Sequence, residues 1–431
     1  MRMRQRDRGV NRGASPGKAR LRRGLSACLG PWVAFAAAGC GGGDETLAGA
    51  AGVRRLSSDL VHVVGTSDSI AAVKDLQVPS DGSVWVLSTQ APHFVGFRSN
   101  GELIAAHGGA GGGPEEFAAP AAFVTGWDDE AWVFDYRRHG LIHVSRPEGL
   151  WTESTLPRDV LPPGTLVGGM GMMEINVRTA RLGEEVVVAR SQQPTEPGIT
   201  GFRLAILGAD LVAWDPVGGT TRTILTLGDV LDDPAAGFEA TEGGFPLWYR
   251  LWTVCGDDTP RGPAIYVYDR TRGQVRRFAS DGGELEALSL PDRAFDEVTP
   301  RQFADAVYPL RAAEVTGRVS ARLDAADSVR LMAEMLERVQ GSPAQLAAYL
   351  PRYVDPRCGD AGSAWIQPYG LDAGGLAGSS TWLEVGLDGR RRSVRFPEGF
   401  DPYRFQDGRV WGIQRDALDV PSVAWIALPV D

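Results

Sequence analysis

Four carboxylates in this chain are suited to metal chemistry. They lie near predicted inner strands or near the ends of predicted repeats, at Asp75, Asp135, Glu174 and Asp269. Carboxylate oxygens are the ligands that Ca²⁺ prefers, so a hydrolase or lyase with a carboxylate-bound divalent metal stays open. Aspartate is also a common turn residue, which gives each position a structural interpretation as well. No HExxH motif, nucleophile elbow or Ser-His-Asp order accompanies them.

The histidines favour no metal or lyase site. All five precede residue 144, at His62, His93, His107, His139 and His143. His139 and His143 have the spacing that binds zinc on a helix, but in a strand context the same spacing puts them about 13 Å apart. The sequence therefore predicts surface histidines.

Lys74 and one aromatic cluster are the candidate ligand-binding residues. Lys74 is the only lysine after residue 18, and it lies on a predicted innermost strand, where it would face an anionic ligand. Trp248, Arg250 and Trp252 suit stacking on a sugar or peptide. The alternative for Lys74 is that it has no function and is a chance exception to a codon bias that favours arginine. The alternative for the aromatic residues is that their rings pack between sheets.

Strand-turn-strand units repeat along the chain and position these residues. The series Ser80-Asp81-Gly82-Ser83-Val84-Trp85 is echoed by Asp128 to Val133 and again by Asp407 to Trp411. Asp-Gly and Asn-Gly accept positive φ, so they predict hairpins. One unit has four strands, such as 72–78, 84–87, 93–98 and 103–106.

Six units predict an all-β, six-bladed β-propeller. Their second strands contain Trp85, Trp132, Val187, Tyr266, Trp365 and Trp411. These strands are apolar throughout rather than alternating, which indicates that both faces are covered by neighbouring sheets. Ring closure leaves no open edge if residues 59–65 pair with the C-terminal strand 423–428.

A helical insertion is predicted before the fifth blade, over residues 296–350. Two capping boxes with proline, at Thr299-Pro300 and Ser342-Pro343, flank a helical apolar period. The insertion would shield a sheet edge, form a lid over the central funnel or bind a partner.

The N-terminus predicts export and a membrane anchor. Residues 1–23 hold nine of the 44 basic residues, and the uncharged stretch 24–39 ends in Ala37-Ala38-Gly39 before Cys40. This resembles the lipobox of bacterial lipoproteins, which implies a signal peptide 1–39 and lipidation of Cys40. Ordinary signal cleavage and a retained anchor are the alternatives. Residues 40–57 would be the lipidated cysteine and a flexible tether.

The remaining cysteines are Cys255 and Cys358, an even number in an exported, oxidising compartment. The sequence predicts a disulfide between them, with two buried free thiols as the alternative. From residue 40 onward the chain carries 35 basic and 53 acidic residues. A nucleic-acid partner is not expected, because such proteins have the opposite balance of charge.

The segment Gly111 to Phe117 reads Gly-Gly-Gly-Pro-Glu-Glu-Phe, and a strand that ends in Asp135 follows it. This pattern resembles the NHL-type repeat and the bacterial six-bladed β-propeller lipoproteins, which carry a GxGPGEF-like turn, then a strand and an aspartate. Glu115 stands where that motif has the glycine that follows its proline. The resemblance covers residues 58–295 and 351–431 and implies the fold of the domain 58–431, whereas related propellers include lactonases, lyases and binding modules.

Two functions follow as expectations. The first is an exported, lipid-anchored binding module of the cell envelope, periplasmic or at the cell surface, without a cofactor, whose partner is a peptide, a glycan or an envelope protein. The second is a lactonase-like hydrolase or lyase with Ca²⁺ at the central funnel. Whether the protein is an enzyme stays open at this stage.

Overall fold

The apolar runs of the sequence form strands almost throughout the described chain. A computed structural model describes residues 52–66, 70, 73–125, 130–135, 137–145, 151–157, 160–161, 165–166, 173–174, 179–191, 209–230, 252–256, 262–292, 352–368 and 380–429. Helix among them is limited to α1 (Leu227–Val230) and the 3₁₀ turns Ser58–Leu60 and Asp360–Gly362. Within these ranges no helix combines the length and apolar character that a bilayer span needs. The predicted signal peptide, Cys40 and the helical insertion 296–350 lie outside the described residues.

The strands of the first half follow in chain order. They are β1 (Arg54–Arg55), β2 (His62–Thr66), β3 (Val73–Gln77), β4 (Val84–Ser88), β5 (Phe94–Phe97), β6 (Leu103–His107), β7 (Gly109–Ala110), β8 (Glu116–Phe117), β9 (Pro120–Thr125), β10 (Glu130–Asp135), β11 (Gly140–Ser145), β12 (Trp151–Thr155), β13 (Val160–Leu161), β14 (Thr165–Leu166), β15 (Met173–Glu174), β16 (Thr179–Leu182), β17 (Glu185–Ser191), β18 (Ala209–Trp214) and β19 (Thr221–Thr226).

The strands of the second half continue the series. They are β20 (Trp252–Cys255), β21 (Ala264–Asp269), β22 (Gln274–Phe278), β23 (Leu288–Ser289), β24 (Tyr353–Cys358), β25 (Ala364–Pro368), β26 (Thr381–Val385), β27 (Arg391–Arg395), β28 (Phe400–Gln406), β29 (Arg409–Arg415) and β30 (Pro421–Ala427).

Consecutive strands pair into antiparallel runs of four. The first run is β3 to β6, the second β9 to β12, the third β16 to β19, the fourth β20 to β23 and the fifth β24 to β27. The sixth run is β28, β29 and β30, to which β2 adds as the outermost strand. The second and third runs are joined through a parallel pairing of β9 with β16.

The predicted second strands are confirmed as strands. Each of the six marker residues lies in the second strand of a different run: Trp85 in β4, Trp132 in β10, Val187 in β17, Tyr266 in β21, Trp365 in β25 and Trp411 in β29. The turn signals and the apolar runs of the sequence therefore located the hairpins correctly.

Each run has apolar residues on both faces because both faces are covered. In β4, Val84 and Val86 pack with residues of the sixth run, whereas Trp85 and Leu87 pack with residues of the second run. Alternate residues of one strand therefore enter different hydrophobic clusters. This arrangement explains the unbroken apolar run that the sequence shows.

The first strands of the runs contact one another in a cycle. β3 contacts β9, β9 pairs with β16, β16 contacts β20, β20 contacts β24, β24 contacts β28, and β28 contacts β3. The described chain is therefore an all-β protein whose sheets are arranged as in a propeller.

The N-terminal segment completes two sheets. β2 pairs with β30 through His62 opposite Trp425, so the predicted pairing of residues 59–65 with the C-terminal strand is confirmed. β1 pairs in parallel with β27, and Leu56 is buried. The predicted flexible tether is thus too long at its C-terminal end. The folded part begins by Arg54 because this segment covers the outer edge of the fifth run.

A disulfide joins Cys255 and Cys358 in the structure, with their Cα atoms 5.5 Å apart. The two cysteines end β20 and β24, the first strands of the fourth and fifth runs. The bond therefore links two neighbouring sheets directly, although 103 residues separate the cysteines in the chain.

Replacing both cysteines, by Cys255→Ser and Cys358→Ser, is expected to lower the free energy of unfolding by about 2–4 kcal/mol. A bond that closes so long a loop restricts the unfolded chain strongly. Denaturant unfolding of the two proteins with and without a thiol reductant measures the effect. The reductant should shift the midpoint of the native chain and leave that of the double variant in place. An unshifted midpoint for the native chain would contradict the bond's role.

Candidate functional site

The first strands β3, β9, β24 and β28 all contain a β-bulge. In β3 the register shifts around Lys74, and in β28 it shifts around Tyr403. In β24 the bulge includes Asp355, whose φ is +56°. A bulge leaves a residue out of the ladder and turns its side chain and carbonyl in a new direction.

Arg357 connects the fifth and sixth runs through these bulges. Its guanidinium donates to the carbonyl oxygens of Pro402 and Tyr403, at 2.7 and 2.9 Å. It also pairs with Asp355 at 2.5 Å and lies over the ring of Trp382 at 4.9 Å. Burial is the largest single influence and opposes the charge, but the charge and hydrogen bond of Asp355, with a smaller contribution from Asp401, together outweigh it, so the pKa of Arg357 is raised.

Two further side chains continue this connection around the ring. Arg404 of the sixth run donates to the carbonyl oxygen of Leu76 at 2.6 Å and pairs with Asp75 at 3.1 Å. Asp75 in turn accepts a hydrogen bond from the backbone amide of Phe123, in the second run, at 3.0 Å. Buried side chains thus bridge four neighbouring first strands.

A pocket of about 590 Å³ opens where the fifth and sixth runs meet. Its lining comes from several separate segments of the two runs: Gln367, Ser380, Trp382, Arg395, Phe396, Pro397, Glu398, Gly399, Phe400, Asp401, Pro402 and Arg415. This volume lies within the range of small-molecule and peptide-side-chain pockets.

A tight turn over Pro397–Phe400 forms one wall of the pocket. The amide of Phe400 donates to the carbonyl of Pro397, and Gly399 at the third position has φ +77°. A side chain at Gly399 would also lie 2.6 Å from the carbonyl oxygen of Arg415. The turn therefore requires glycine there, as a type II turn does.

The pocket combines hydrogen-bond donors with exposed acids. Arg395 Nε donates to Ser380 Oγ at 3.3 Å. Trp382 is 1% exposed, and its Nε1 has no hydrogen-bond partner among the described residues. Glu398 and Asp401 are exposed. The lining therefore combines a half-buried guanidinium and a hydroxyl with carboxylates that face solvent.

The aspartates that were candidates for either metal binding or turns accept backbone hydrogen bonds in the structure. Asp135 is fully buried and accepts from the amides of Ala118, Ala119 and Arg138. Its partners Ala118 and Ala119 follow the Gly-Gly-Gly-Pro-Glu-Glu-Phe segment directly, so the aspartate of the motif fixes its turn. Glu115 has φ +56°, which explains why the related motif has glycine at that position.

Asp269 has the same role in the fourth run, where it accepts from the amide of Arg272 at 3.0 Å. Glu174 lies in β15, and the structure does not describe its side chain. Among the described residues no three His, Cys, Asp or Glu side chains gather as a metal site would require. The described aspartates thus act in turns and between sheets.

The histidines are dispersed. His139 Nε2 lies 2.9 Å from the carbonyl oxygen of Pro157, and His143 Nε2 lies 3.2 Å from Glu130. His93 is buried, with Nδ1 2.9 Å from the carbonyl oxygen of Ser88. The prediction of a surface position is therefore wrong for His93, which packs edge-on against Phe117.

Of the predicted ligand residues that the structure describes, neither Lys74 nor Trp252 lines the pocket. Lys74 is half-buried at the bulge of β3, and burial lowers its pKa. Trp252 is buried in the hydrophobic cluster of the third, fourth and fifth runs, so it has the packing role that the sequence left open. Trp248 and Arg250 lie outside the described residues. A role for Lys74 in ligand binding stays a prediction.

Sequence reasoning missed Arg357, Trp382, Arg395 and Arg415. The chain has 44 basic residues, nearly all arginine, so no single arginine stands out. The turn Pro397-Glu398-Gly399 was the one local signal for the pocket, because Pro and Gly mark a turn there.

No protein-family model matches the chain, and no curated protein matches it. Among solved structures it is similar to virginiamycin B lyase from Staphylococcus aureus, with 12% identity over 86% of this chain and 99% of that chain and a TM-score of 0.41. It is also similar to regucalcin, a calcium-binding protein from Agrobacterium tumefaciens, with 10% identity over 88% of this chain and 98% of that chain and a TM-score of 0.40.

A Bacteroides fragilis protein designated as exported is similar as well, with 9% identity over 88% of this chain and 99% of that chain and a TM-score of 0.45. These neighbours are β-propeller-type proteins. Such scores are too low to assign an activity to this chain.

Asp355→Asn is expected to lower the free energy of unfolding by about 3 kcal/mol, because it removes the carboxylate that pairs directly with the buried guanidinium of Arg357. Asparagine tolerates the positive φ of this position, so the backbone is not strained. Denaturant unfolding measures the loss.

Asp419→Asn is the matched control. Asp419 also has positive φ, at +63°, and pairs with an arginine, Arg415, but its side chain is 81% exposed. Exposed pairs contribute at most about 1 kcal/mol. Equal losses in the two variants would contradict a special role for the Arg357 pair.

Proposed function

We propose that the protein is an exported, lipid-anchored six-bladed β-propeller that binds a ligand of the cell envelope in the pocket between its fifth and sixth runs. Each run is one blade in this proposal. The cycle of contacts among six first strands supports that number, as does the pairing of β2 with β30, which completes the last sheet from the N-terminus.

Export and anchoring are supported by the sequence of the N-terminus. The uncharged stretch before Cys40 has the length of a signal-peptide core, and small residues precede the cysteine as in a lipobox. The disulfide between Cys255 and Cys358 agrees with an oxidising compartment. The segment between Cys40 and Arg54 would then connect the anchored cysteine to the folded part.

The pocket is the observation that carries the binding function. It combines about 590 Å³ of space with guanidinium, carboxylate, amide and indole groups. The described aspartates that first suggested catalysis accept backbone hydrogen bonds in turns and between blades. Binding therefore agrees with the geometry better than a metal-dependent hydrolysis or elimination.

Cys40→Ser is expected to abolish lipid attachment, because serine lacks the sulfur that takes the diacylglycerol. Labelling the producing bacterium with a radioactive or clickable fatty acid, followed by membrane fractionation, measures this. The native chain should carry label and sediment with membranes, whereas the variant should be unlabelled. Cys28→Ser, within the predicted signal peptide, is the control and should keep the label. Unlabelled native protein would contradict the anchor.

Glu398→Trp is expected to block the pocket, because Glu398 lines it and a tryptophan would occupy its volume. The full-length protein in detergent is equilibrated with a pool of random tetrapeptides and with a pool of oligosaccharides, and the retained molecules are quantified by mass spectrometry. Retention should fall at least tenfold in the variant, a change of about 1.4 kcal/mol in binding free energy.

Glu102→Trp is the matched control. It places the same substitution on an exposed glutamate of the first run, whose side chain pairs with Arg98 at 3.3 Å, and retention should not change. If Glu398→Trp and Glu102→Trp retained equal amounts of peptide or oligosaccharide, the ligand would bind outside this pocket. Shortened peptides or sugars together with stoichiometric bound calcium would instead support the hydrolase or lyase.

A further inference from the structure

The outer edge of the fifth run is rich in arginine. Its two outermost strands, β27 and β1, contain five arginines: Arg54, Arg55, Arg391, Arg392 and Arg395. The outer strands of the other five runs, β2, β6, β12, β19 and β23, contain a single arginine, Arg222. A codon bias toward arginine acts on all six edges alike, so it does not explain the concentration at this one.

Four arginines of this edge are exposed to solvent: Arg54, Arg55 and Arg391 on the strands, and Arg390 in the turn before β27. Among the described residues no carboxylate pairs with Arg54 or Arg391. Arg391 donates instead to the backbone carbonyl oxygen of Ser289 at 3.2 Å. The charges of these two guanidiniums are therefore not neutralised by a described side chain.

The acidic side chains next to these arginines neutralise only part of their charge. Glu384 is buried and pairs with Arg392 at 2.6 Å, and it lies 3.7 Å from Arg390. Asp388 is the exposed acid of the turn, where it accepts from the backbone amide of Arg390 at 3.0 Å. The strands and the turn thus carry more guanidinium groups than carboxylates.

The same edge receives the segment that leads from the predicted anchor. Thirteen residues, 41–53, separate Cys40 from Arg54. A chain of that length spans at most about 45 Å, and a flexible glycine-rich one has a mean extension of about 20 Å. A tether this short gives an effective concentration in the millimolar range, so even a weak contact with the membrane is populated.

We propose that this arginine edge lies against the anionic lipid headgroups of the membrane that carries the anchor, an inference that rests on the proposed function. Arginine pairs with phosphate through two parallel hydrogen bonds and is weakly hydrated, which suits it to headgroup contact. Each arginine close to an anionic membrane strengthens the attraction about fivefold. From residue 40 onward the chain carries 35 basic and 53 acidic residues. An anionic surface therefore repels the chain as a whole and attracts this edge.

The test measures how fast each arginine reacts with phenylglyoxal, followed by peptide mass spectrometry. The lipid-modified protein, purified from membranes of the producing bacterium, is bound to vesicles of phosphatidylcholine alone or of phosphatidylcholine mixed with phosphatidylglycerol. In the anionic vesicles Arg54, Arg55 and Arg391 should react at least about fivefold more slowly, because headgroups cover them. In about 1 M salt, where the Debye length is about 3 Å, this difference should disappear.

Arg390→Gln combined with Arg391→Gln removes two of the four exposed cations. This double variant should restore most of the reactivity of Arg54 and Arg55 in anionic vesicles. Arg98→Gln combined with Arg409→Gln is the matched control, because both arginines are exposed, lie on the first and sixth runs and give the same change in net charge. The control should keep the slow reaction. Far-ultraviolet circular dichroism and the unfolding midpoint confirm that both variants are folded.

The outcomes separate this inference from the proposed function. Equal reactivity in the two kinds of vesicle, with native protein that sediments with both, would overturn the membrane contact and leave the anchor. Native protein that does not sediment with phosphatidylcholine vesicles would overturn the anchor and the membrane contact together. Slower reaction in the presence of soluble acidic oligosaccharides, but not with phosphatidylglycerol, would assign the edge to a glycan and overturn the membrane contact.

Discussion

The arrangement of this protein depends on a buried guanidinium. Neighbouring sheets in a propeller face each other, and in the described chain only the second and third runs are joined by a backbone ladder, between β9 and β16. Side chains must bridge the other sheets. Arg357 does so by donating to two carbonyl oxygens of the bulged strand β28. The bulge is what makes this possible, because Tyr403 is left out of the ladder and its carbonyl is available. The charge is tolerated in the interior because Asp355 compensates it.

The same guanidinium determines the geometry of the pocket. Its plane lies on the indole of Trp382, and its hydrogen bonds fix the start of β28, where Asp401 and Pro402 line the cavity. The stability of the ring and the shape of the site are therefore coupled at one residue. Because the pocket is lined by two blades, its shape is fixed only if the two blades keep the same position relative to each other.

The sequence could predict the strands because their signals are local. Asp-Gly turns and apolar runs with one central tryptophan, such as that around Trp85, identify hairpins without knowledge of the partner sheet. The edge pairing of residues 59–65 followed from the need to cover an open edge. The strand at Arg54 was not predictable, since two charged residues carry no period and their pairing with β27 depends on the tertiary structure alone.

The site was less predictable because its residues have ordinary local interpretations. Acidic residues such as Asp75 and Asp135 appeared to be metal ligands, whereas in the structure they accept backbone amides that bulges and turns leave without a ladder partner. The arginines Arg357 and Arg404 instead donate hydrogen bonds to backbone carbonyl oxygens of the neighbouring sheet. Both kinds of side chain connect the fifth, sixth, first and second runs in the structure. Buried charge at these junctions is therefore explained first by the assembly of the sheets.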